Sequence, residues 1–598
     1  MVESSQRMRP PLSIIHMAAT AIRALLLTLA CLLPVMVSGI TPAQAQSYGA
    51  ELGFLSLPVE TVTVNITNPR KDKSYNDRVT DGFRKFLAVY PGDFFNENAA
   101  AFAIARVRRS PDIADITYSF ALGRGGGLDV TFTITLAANG SGFEGRGYLI
   151  TSDKADLPVL YDKDGTYVRA KLDALSLYYG NNNAWYGQPD KMLAGNPIVQ
   201  GKPAGAGYSN WVEGYLHYGL YGITPITDKF YVYGGLSSIS SGSTGQELFT
   251  NQTRGYTFWE DAYAGFVTGT TDDKGNRLAV NFSAGRQKFT LANAFLIANT
   301  ATNGWDRAAL QANARWAADM LVLGQVRYNN TKFEAFYVKP DELPVIDTHT
   351  ELAGLNVESR PLNGLMAAAS YVTALKGDYA YYSPVGSVLA TREGLNVYDV
   401  RATYTPKPLN EPGPFFGAEA ALQTHRDFDM LATAAYGEIG YSFIDKPWSP
   451  SISYRVSYFS GDDPDTEAYE RWDPLLSGGN GEQWVQGASH FKVVQDSNVI
   501  AHRVQARFRP LPTVEVVPQL WAFQADSLNN IGGNPALSFL DSYPYGYEAN
   551  VTVKWFPNRN WYVHGMLSYT IPGEAAQQAL DHDAKDWFAA MLFVRYSL

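Results

Sequence analysis

From Tyr167 to Leu598 the chain divides into eighteen short segments of alternating apolar and polar residues, and the connections between them alternate between short and long. Short connections fall at 223–226, 271–276, 329–330, 360–362, 406–413, 444–450, 509–512 and 556–559. Between them lie longer ones at 180–209, 239–260, 289–318, 374–394, 460–495, 526–545 and 572–585, with 339–349 intermediate and 426–430 short. A period of two puts successive side chains on opposite faces of a strand. One face then meets lipid and the other the lumen, and a closed antiparallel barrel leaves no unpaired edge in the hydrocarbon. Adding or dropping one strand would scramble the short–long order, so the pattern predicts a transmembrane β-barrel of about eighteen strands, an even number with both ends on one side. In the last segment Phe588, Ala590, Leu592, Val594, Tyr596 and Leu598 share one face, while Arg595 and Ser597 lie on the other. A half-buried strand of a soluble sheet would show the same local alternation, but not the loop order.

Residues 1–45 predict an export signal. Arg7, Arg9 and Arg23 supply a basic start, 24–37 an apolar run, and Ala43-Gln44-Ala45 a small-residue cleavage site. About fourteen apolar residues are too few to span a bilayer as a helix. Cys31, the one cysteine, lies inside that run, so the exported chain is expected to use neither disulfides nor thiol chemistry. Taking Arg7, Arg9, Arg23 and Glu3 from the 48 basic and 58 acidic residues leaves 45 and 57, a net charge of −12. That balance argues against nucleic acid as a partner. The chain is 46% hydrophobic, with 37 Tyr and 12 Trp, yet no later stretch reads as a membrane helix. An outer-membrane barrel fits, because its lipid face is diluted one-to-one by lumen residues.

Residues 58–138 differ in character. Val62, Val64 and Ile66 alternate with Thr61, Thr63 and Asn65 as in a strand, whereas Val79, Phe83, Phe86, Leu87 and Tyr90 follow a helical spacing over 75–90. Pro91-Gly92 breaks the chain, Asn96 can cap a second helix over 97–108, and strands are expected at 114–122 and 128–137. The order β-α-α-β-β around Pro91-Gly92-Asp93-Phe94-Phe95 resembles a polypeptide-transport-associated (POTRA) domain. The resemblance implies a periplasmic module that offers a sheet edge, with Thr133 on it, to a client or to export machinery. A plain α+β spacer is the other reading these residues allow.

Where alternation is clean, strand faces can be assigned. Tyr398, Val400, Ala402 and Tyr404 face lipid, which puts Asp399 and Arg401 in the lumen. Ile452, Tyr454, Val456 and Tyr458 face out, so Arg455 faces in; Val504, Ala506 and Phe508 face out, leaving Arg503 and Arg507 inside. Tyr547, Ala549, Val551, Val553 and Trp555 face out, with Glu548 and Lys554 inside. Arg327, Glu438 and Arg595 complete the expected pore lining, with Glu419 nearby. A cation on the lipid face near mid-membrane would cost about 2–4 kcal/mol, which supports the inward assignment. Such a wall can act as a constriction attracting an anionic solute, or as a lattice of ion pairs that stiffens the barrel.

The longest outer loop carries Ser460-Gly461-Asp462-Asp463-Pro464-Asp465-Thr466. Asp462, Asp463 and Asp465 are candidates for a Ca²⁺ site, although a solvated turn explains them as well. The Ala-rich stretch 305–320 predicts a short helix at the mouth. No G-x-S-x-G, H-E-x-x-H or phosphate loop occurs, and His502 and His564 stand singly in strands, so neither enzymatic activity nor a cofactor is expected.

Gly285-Arg286-Gln287, the Ser460–Thr466 run and Glu470-Arg471-Trp472-Asp473-Pro474-Leu475 resemble the alginate-export family of outer-membrane barrels, over roughly 277–598. That resemblance implies eighteen strands and a positively charged pore for an acidic polysaccharide. Arg286 itself falls on the lipid-facing register unless a bulge intervenes. Two other readings stand beside export of an anionic exopolysaccharide. One is a protein translocator of the two-partner-secretion type, suggested by the POTRA-like module, although Arg254-Gly255-Tyr256 and Arg146-Gly147-Tyr148 lie too early for that family's late-barrel motif. The other is a general porin.

Overall fold

In the computed structural model, residues 59–84, 112–123, 127–137, 159–187, 207–245, 252–407, 411–477, 486–489 and 491–597 are described, except 275, 363 and 559, together with 87, 89, 95, 100, 103, 104 and 107. The expected export signal at 1–45 and the terminal Leu598 lie outside the described residues. So do Pro91-Gly92 and most of the stretch read as the second helix, of which Ala100, Ala103, Ile104 and Val107 are described, the last three as helical along with Ala100.

The N-terminal part forms a three-stranded sheet from β1 (Val59–Ile66), β2 (Ile113–Leu122) and β3 (Leu128–Leu136), with helix α1 (Lys73–Arg84) following β1. The strand order is β1-β3-β2; β1 runs parallel to β3, and β2 antiparallel to it. Alternate residues Val130, Phe132 and Ile134 of β3 are buried, and the Phe83 ring packs 5.1 Å from that of Phe132. The helical spacing read in the sequence thus delivers its apolar stripe to one sheet face. Thr133, expected at the edge, is central instead: it pairs with Asn65 on one side and Thr117 on the other. The reason is topological. A crossover through helices returns the last strand of the sequence between the first two, so the free edges belong to β1 and β2.

A short strand β4 (Val159–Lys163) precedes the barrel. The barrel begins with β5 (Thr166–Asn182), β6 (Tyr208–Pro225), β7 (Phe230–Gly245), β8 (Arg254–Thr271) and β9 (Arg277–Arg286). It continues with β10 (Met320–Tyr328), β11 (Thr331–Lys339), β12 (Glu351–Leu362) and β13 (Leu365–Lys376). After a loop hairpin, β14 (Ala380–Tyr382) and β15 (Val388–Thr391), come β16 (Leu395–Tyr404), β17 (Gly413–His425), β18 (Ala432–Ser442) and β19 (Ser451–Phe459). The circuit ends with β20 (Val499–Leu511), β21 (Val514–Gln524), β22 (Pro544–Trp555), β23 (Trp561–Pro572) and β24 (Trp587–Ser597).

Every one of the eighteen alternating segments is a strand, each pairs antiparallel with its sequence neighbour, and β24 closes the ring on β5 from Phe588↔Asn182 to Ser597↔Asp173. Where β24 ends, β4 takes over the pairing with β5, from Val159↔Arg169 to Lys163↔Thr166, and so covers the edge that a longer β5 would leave bare. The outward face carries exposed Tyr398, Val400, Ile452, Tyr454, Val504 and Leu592, while the alternate residues Asp399, Arg401, Arg455, Arg503 and Arg595 are buried. At the short-turn end Tyr328, Tyr404, Phe416, Tyr441, Trp448 and Trp561 stay exposed, the position that an interfacial aromatic girdle takes. Among the described residues no helix is long and apolar enough to cross a membrane.

Candidate functional site: a charged lumen crossed by two loops

The inward faces of β12 to β22 carry a network of opposite charges. The Arg401 guanidinium donates to Asp399 at 2.9 Å, to Ser370 at 2.8 Å and to Asn356 at 2.7 Å, and lies 3.7 Å from Glu358. Arg503 is paired with Glu438 across two strands. Arg455 and Arg503 are cross-strand partners, and their guanidinium carbons stand 5.6 and 5.8 Å from the centre of the Trp521 ring. A flat aromatic between two cations spreads their charge over its face. Arg507 donates to Ser451 at 3.4 Å, and among the described residues no carboxylate lies within salt-bridge distance of it. Lys554 faces Glu515 across the ladder to β21, and Arg327 sits near the short-turn end opposite Lys332. Arg595 reaches Asp173 at 3.4 Å across the closing seam, where Lys171 lies 3.5 Å from the same carboxylate. The expected residues therefore lie at five separate places around the wall, and Asp399, Arg401, Glu438, Arg503 and Arg595 stand in ion pairs.

The long loop 287–319 does not stay outside. Near its start, the Asn293 side-chain amide donates to Glu419 of β17 and, at 3.0 Å, to Tyr436 of β18. Farther along, the backbone amides of Gln311 and Ala312 each donate to Glu213 of β6 at 2.8 Å. Counting round the ring from β5, β6 is the second strand and β17 the eleventh, half a circumference apart. The loop spans the lumen on a diameter.

Its Ala-rich part is not the expected helix. Only Trp305–Arg307 make a single 3₁₀ turn, and Ala308, Ala309 and Asn313 have φ of 56°, 52° and 46°. Wall carboxylates decide this: Glu213 takes two backbone amides, and Glu260 takes those of Trp316 and Ala317 at 2.8 and 3.0 Å. Those amides would otherwise feed a helix.

Loop 460–498 folds in beside it. Ala298 donates to the Leu476 carbonyl at 2.9 Å, Leu476 returns a bond to Leu296 at 3.3 Å, and the Ser477 hydroxyl donates to the Ala294 carbonyl at 3.1 Å. The backbone amides of Ala488 and Ser489 cap the Glu548 carboxylate on β22. Glu548, expected to line the pore, thus holds a loop. Phe295 of the first loop packs on Phe459 and Trp472, 5.5 and 6.4 Å between ring centres.

Two ion-pair centres anchor these loops, and neither pairing was expected from the sequence. Asp473 takes a two-pronged bond from Arg392, both contacts at 2.8 Å, and a third from the Tyr381 hydroxyl at 2.8 Å. Burial would lower the Arg392 pKa, but Asp473 raises it above its ordinary value. Asp341 is gripped by Arg286, by Arg307 at 2.7 Å and by Arg315 at 3.4 Å. Burial would push its carboxyl up, yet the three arginines hold it below the usual carboxylate range. Arg286 is the last residue of β9, still paired with Ala262 of β8, and follows Gly285, whose φ is 127°. Its side chain is buried among the loops and not in lipid.

The acidic run 460–466 is not simply a solvated turn. Asp462 is buried and accepts the Glu470 amide at 3.0 Å and the Asn529 side-chain amide at 3.3 Å; burial raises its carboxyl pKa. Asp463 and Asp465 remain exposed, the former accepting the latter's amide at 3.0 Å. Among the described residues no group of three or more His, Cys, Asp or Glu side chains converges as a metal site. His502 lies 2.7 Å from the Tyr454 hydroxyl, and His564 3.0 Å from that of Tyr562 while stacking on Phe593.

The alginate export family model matches residues 256–590, more than half of the chain. No curated protein sequence matches. Among solved structures, Pseudomonas aeruginosa OccK5 (OpdH) aligns with a TM-score of 0.43 at 9% identity, covering 72% of this chain and 98% of that one. Pseudomonas aeruginosa OprD aligns with a TM-score of 0.41 at 12% identity, covering 76% and 97%.

Proposed function

Because the chain belongs to the alginate export family, we propose that this outer-membrane barrel is a channel, not an enzyme, and that it carries an anionic exopolysaccharide out of the cell. The observation that carries the reading is the cation group on the inward face of β19 and β20, Arg455, Arg503 and Arg507: Arg503 is paired with Glu438, and among the described residues no carboxylate lies within salt-bridge distance of Arg507. A wall that served only as a stiffening lattice would match each arginine to an acid. Here Arg507 keeps a charge that a passing carboxylate or sulfate can meet. The remaining expected residues, Arg327, Asp399, Arg401, Glu438, Glu548, Lys554 and Arg595, are proposed to shape and stiffen the conduit. We place the N-terminal sheet in the periplasm, where the free edges of β1 and β2 can accept a strand from export machinery.

The test is ion selectivity in planar bilayers under a salt gradient. An anion-selective zero-current potential is expected, falling towards zero when Arg503→Ala is combined with Arg507→Ala, since two of the three cations on this wall are then gone and Glu438 loses its Arg503 partner. A cation-selective wild type, or selectivity unchanged in the double variant, contradicts the reading.

A further inference from the structure

Asp496 lies in loop 460–498, which folds in beside the loop that crosses the lumen, and is 1% exposed. No salt bridge to it is found among the described residues; one carboxylate oxygen accepts the Ser477 hydroxyl at 3.3 Å, and Oδ1 has no partner. Among the described residues the cation that acts on it from the wall is Arg455, already beside Arg503, Glu438 and Tyr436. From loop 287–319 the Ala294 carbonyl takes a bond from the same Ser477 hydroxyl. One hydrogen is therefore shared between the clasp that joins the two loops and a buried carboxyl group.

The chain around Asp496 is also conformationally tight. Gln495 and Asn498 on either side have φ of 56° and 50°, a region that is unfavourable for a residue such as glutamine. Asn498 is fixed by its neighbours: its side chain accepts the amides of Asp526 at 3.1 Å and Ser527 at 2.7 Å. The segment thus has a fixed hinge at one end and the shared hydrogen at the other.

We propose that Asp496 is a proton-operated latch on this channel: protonated, it leaves Ser477 on the Ala294 carbonyl and the loops clasped; losing its proton to solvent, it draws the Ser477 hydrogen to itself and releases the clasp. Burial pushes the Asp496 carboxyl up to about 7, against the smaller opposing pulls of Gln486 and Arg455. A group raised in the closed form stabilises that form at acid pH and loses this contribution as pH rises through the raised value. The clasp therefore holds below pH 7 and loosens above it, and the ionised fraction of Asp496 climbs roughly thirtyfold between pH 5.5 and 8.5. The latch rests on the channel reading, and the two fail separately: ion selectivity of the open state reports the channel, and open probability against pH reports the latch.

The experiment is single-channel recording of the full chain in planar bilayers from pH 5.5 to 8.5. Open probability should rise severalfold with a midpoint near 7, stay low and flat in Asp496→Asn, and be held low at pH 8.5 in Ala294→Cys with Ser477→Cys until a reductant is added. A wild type whose open probability is flat with pH overturns the latch. So does an Asp496→Asn channel with the wild-type response, or a cross-linked channel that opens without reductant.

Discussion

Exchanging Asp473 for Asn removes one charge and almost no volume from the anchor of loop 460–498. In the native arrangement Arg392 meets that carboxylate through two bonds of 2.8 Å, and both side chains are buried, 6% and 0% exposed. The backbone contacts of residue 473 to Gln423, at 2.7 and 2.9 Å, survive the exchange, so the loop keeps its path and loses its charge balance. Removing one partner of a buried pair costs about 3–5 kcal/mol, because the other is left charged and unpaired. At about 1.4 kcal/mol per tenfold, even the lower figure multiplies the locally open population by roughly a hundred. Limited proteolysis of the purified barrel reads this directly, since a protease cuts only the opened loop. Cleavage within 460–498 should accelerate by about two orders of magnitude while the heat-modifiable barrel stays intact. Adding Arg392→Met, which removes the stranded charge, should restore most of the protection. Cleavage of the single variant within threefold of wild type would refute the assignment of Arg392–Asp473 as the anchor.

Gly285→Ala should disorder the Arg286 cluster, since a Cβ there meets the Ala262 carbonyl at 2.4 Å and the backbone holds φ 127°; loss of protease protection in 287–319 checks it. The Asp341 carboxyl is depressed, so its contribution is present above its unfolded value of 3.8 and lost as pH falls further; proteolysis of the same loop should accelerate at more acid pH and be fast at every pH in Asp341→Asn. Deleting 59–137 should leave a heat-modifiable barrel in the membrane but stop polysaccharide export, whereas normal export by that variant makes the sheet a spacer. Thr133→Pro breaks the centre of that sheet, with partners on both sides, and reports its stability instead of its edge.

The strands were legible because period two and loop parity are local properties: 451–459 alternates Ile452, Tyr454, Val456 against Ser453, Arg455, Ser457 without reference to anything distant. The lumen was legible only in part, for the same reason. Alternation says that Arg401 points inward, but its partners Asn356 and Ser370 come from two other strands, and their proximity follows from register. The loops were not legible. Arg392 and Asp473 stand 81 residues apart, and Asn293 and Glu419 stand 126 apart, with no periodicity linking them. The Ala-rich stretch misled because helix propensity is a weak prior that four amides committed to Glu213 and Glu260 can override. Arg286 gave a fair warning: a charge on the lipid register at the end of a strand, directly after a glycine, is drawn in among the loop carboxylates.

Current block by defined oligosaccharides tests the central claim most directly. Acidic uronate oligomers added from the short-turn side should interrupt the open-channel current in a voltage-dependent manner, with neutral oligomers of equal length far weaker, and Arg507→Ala should shorten the acidic blocks. Equal block by acidic and neutral oligomers, or none by either, would contradict a conduit built for a polyanion.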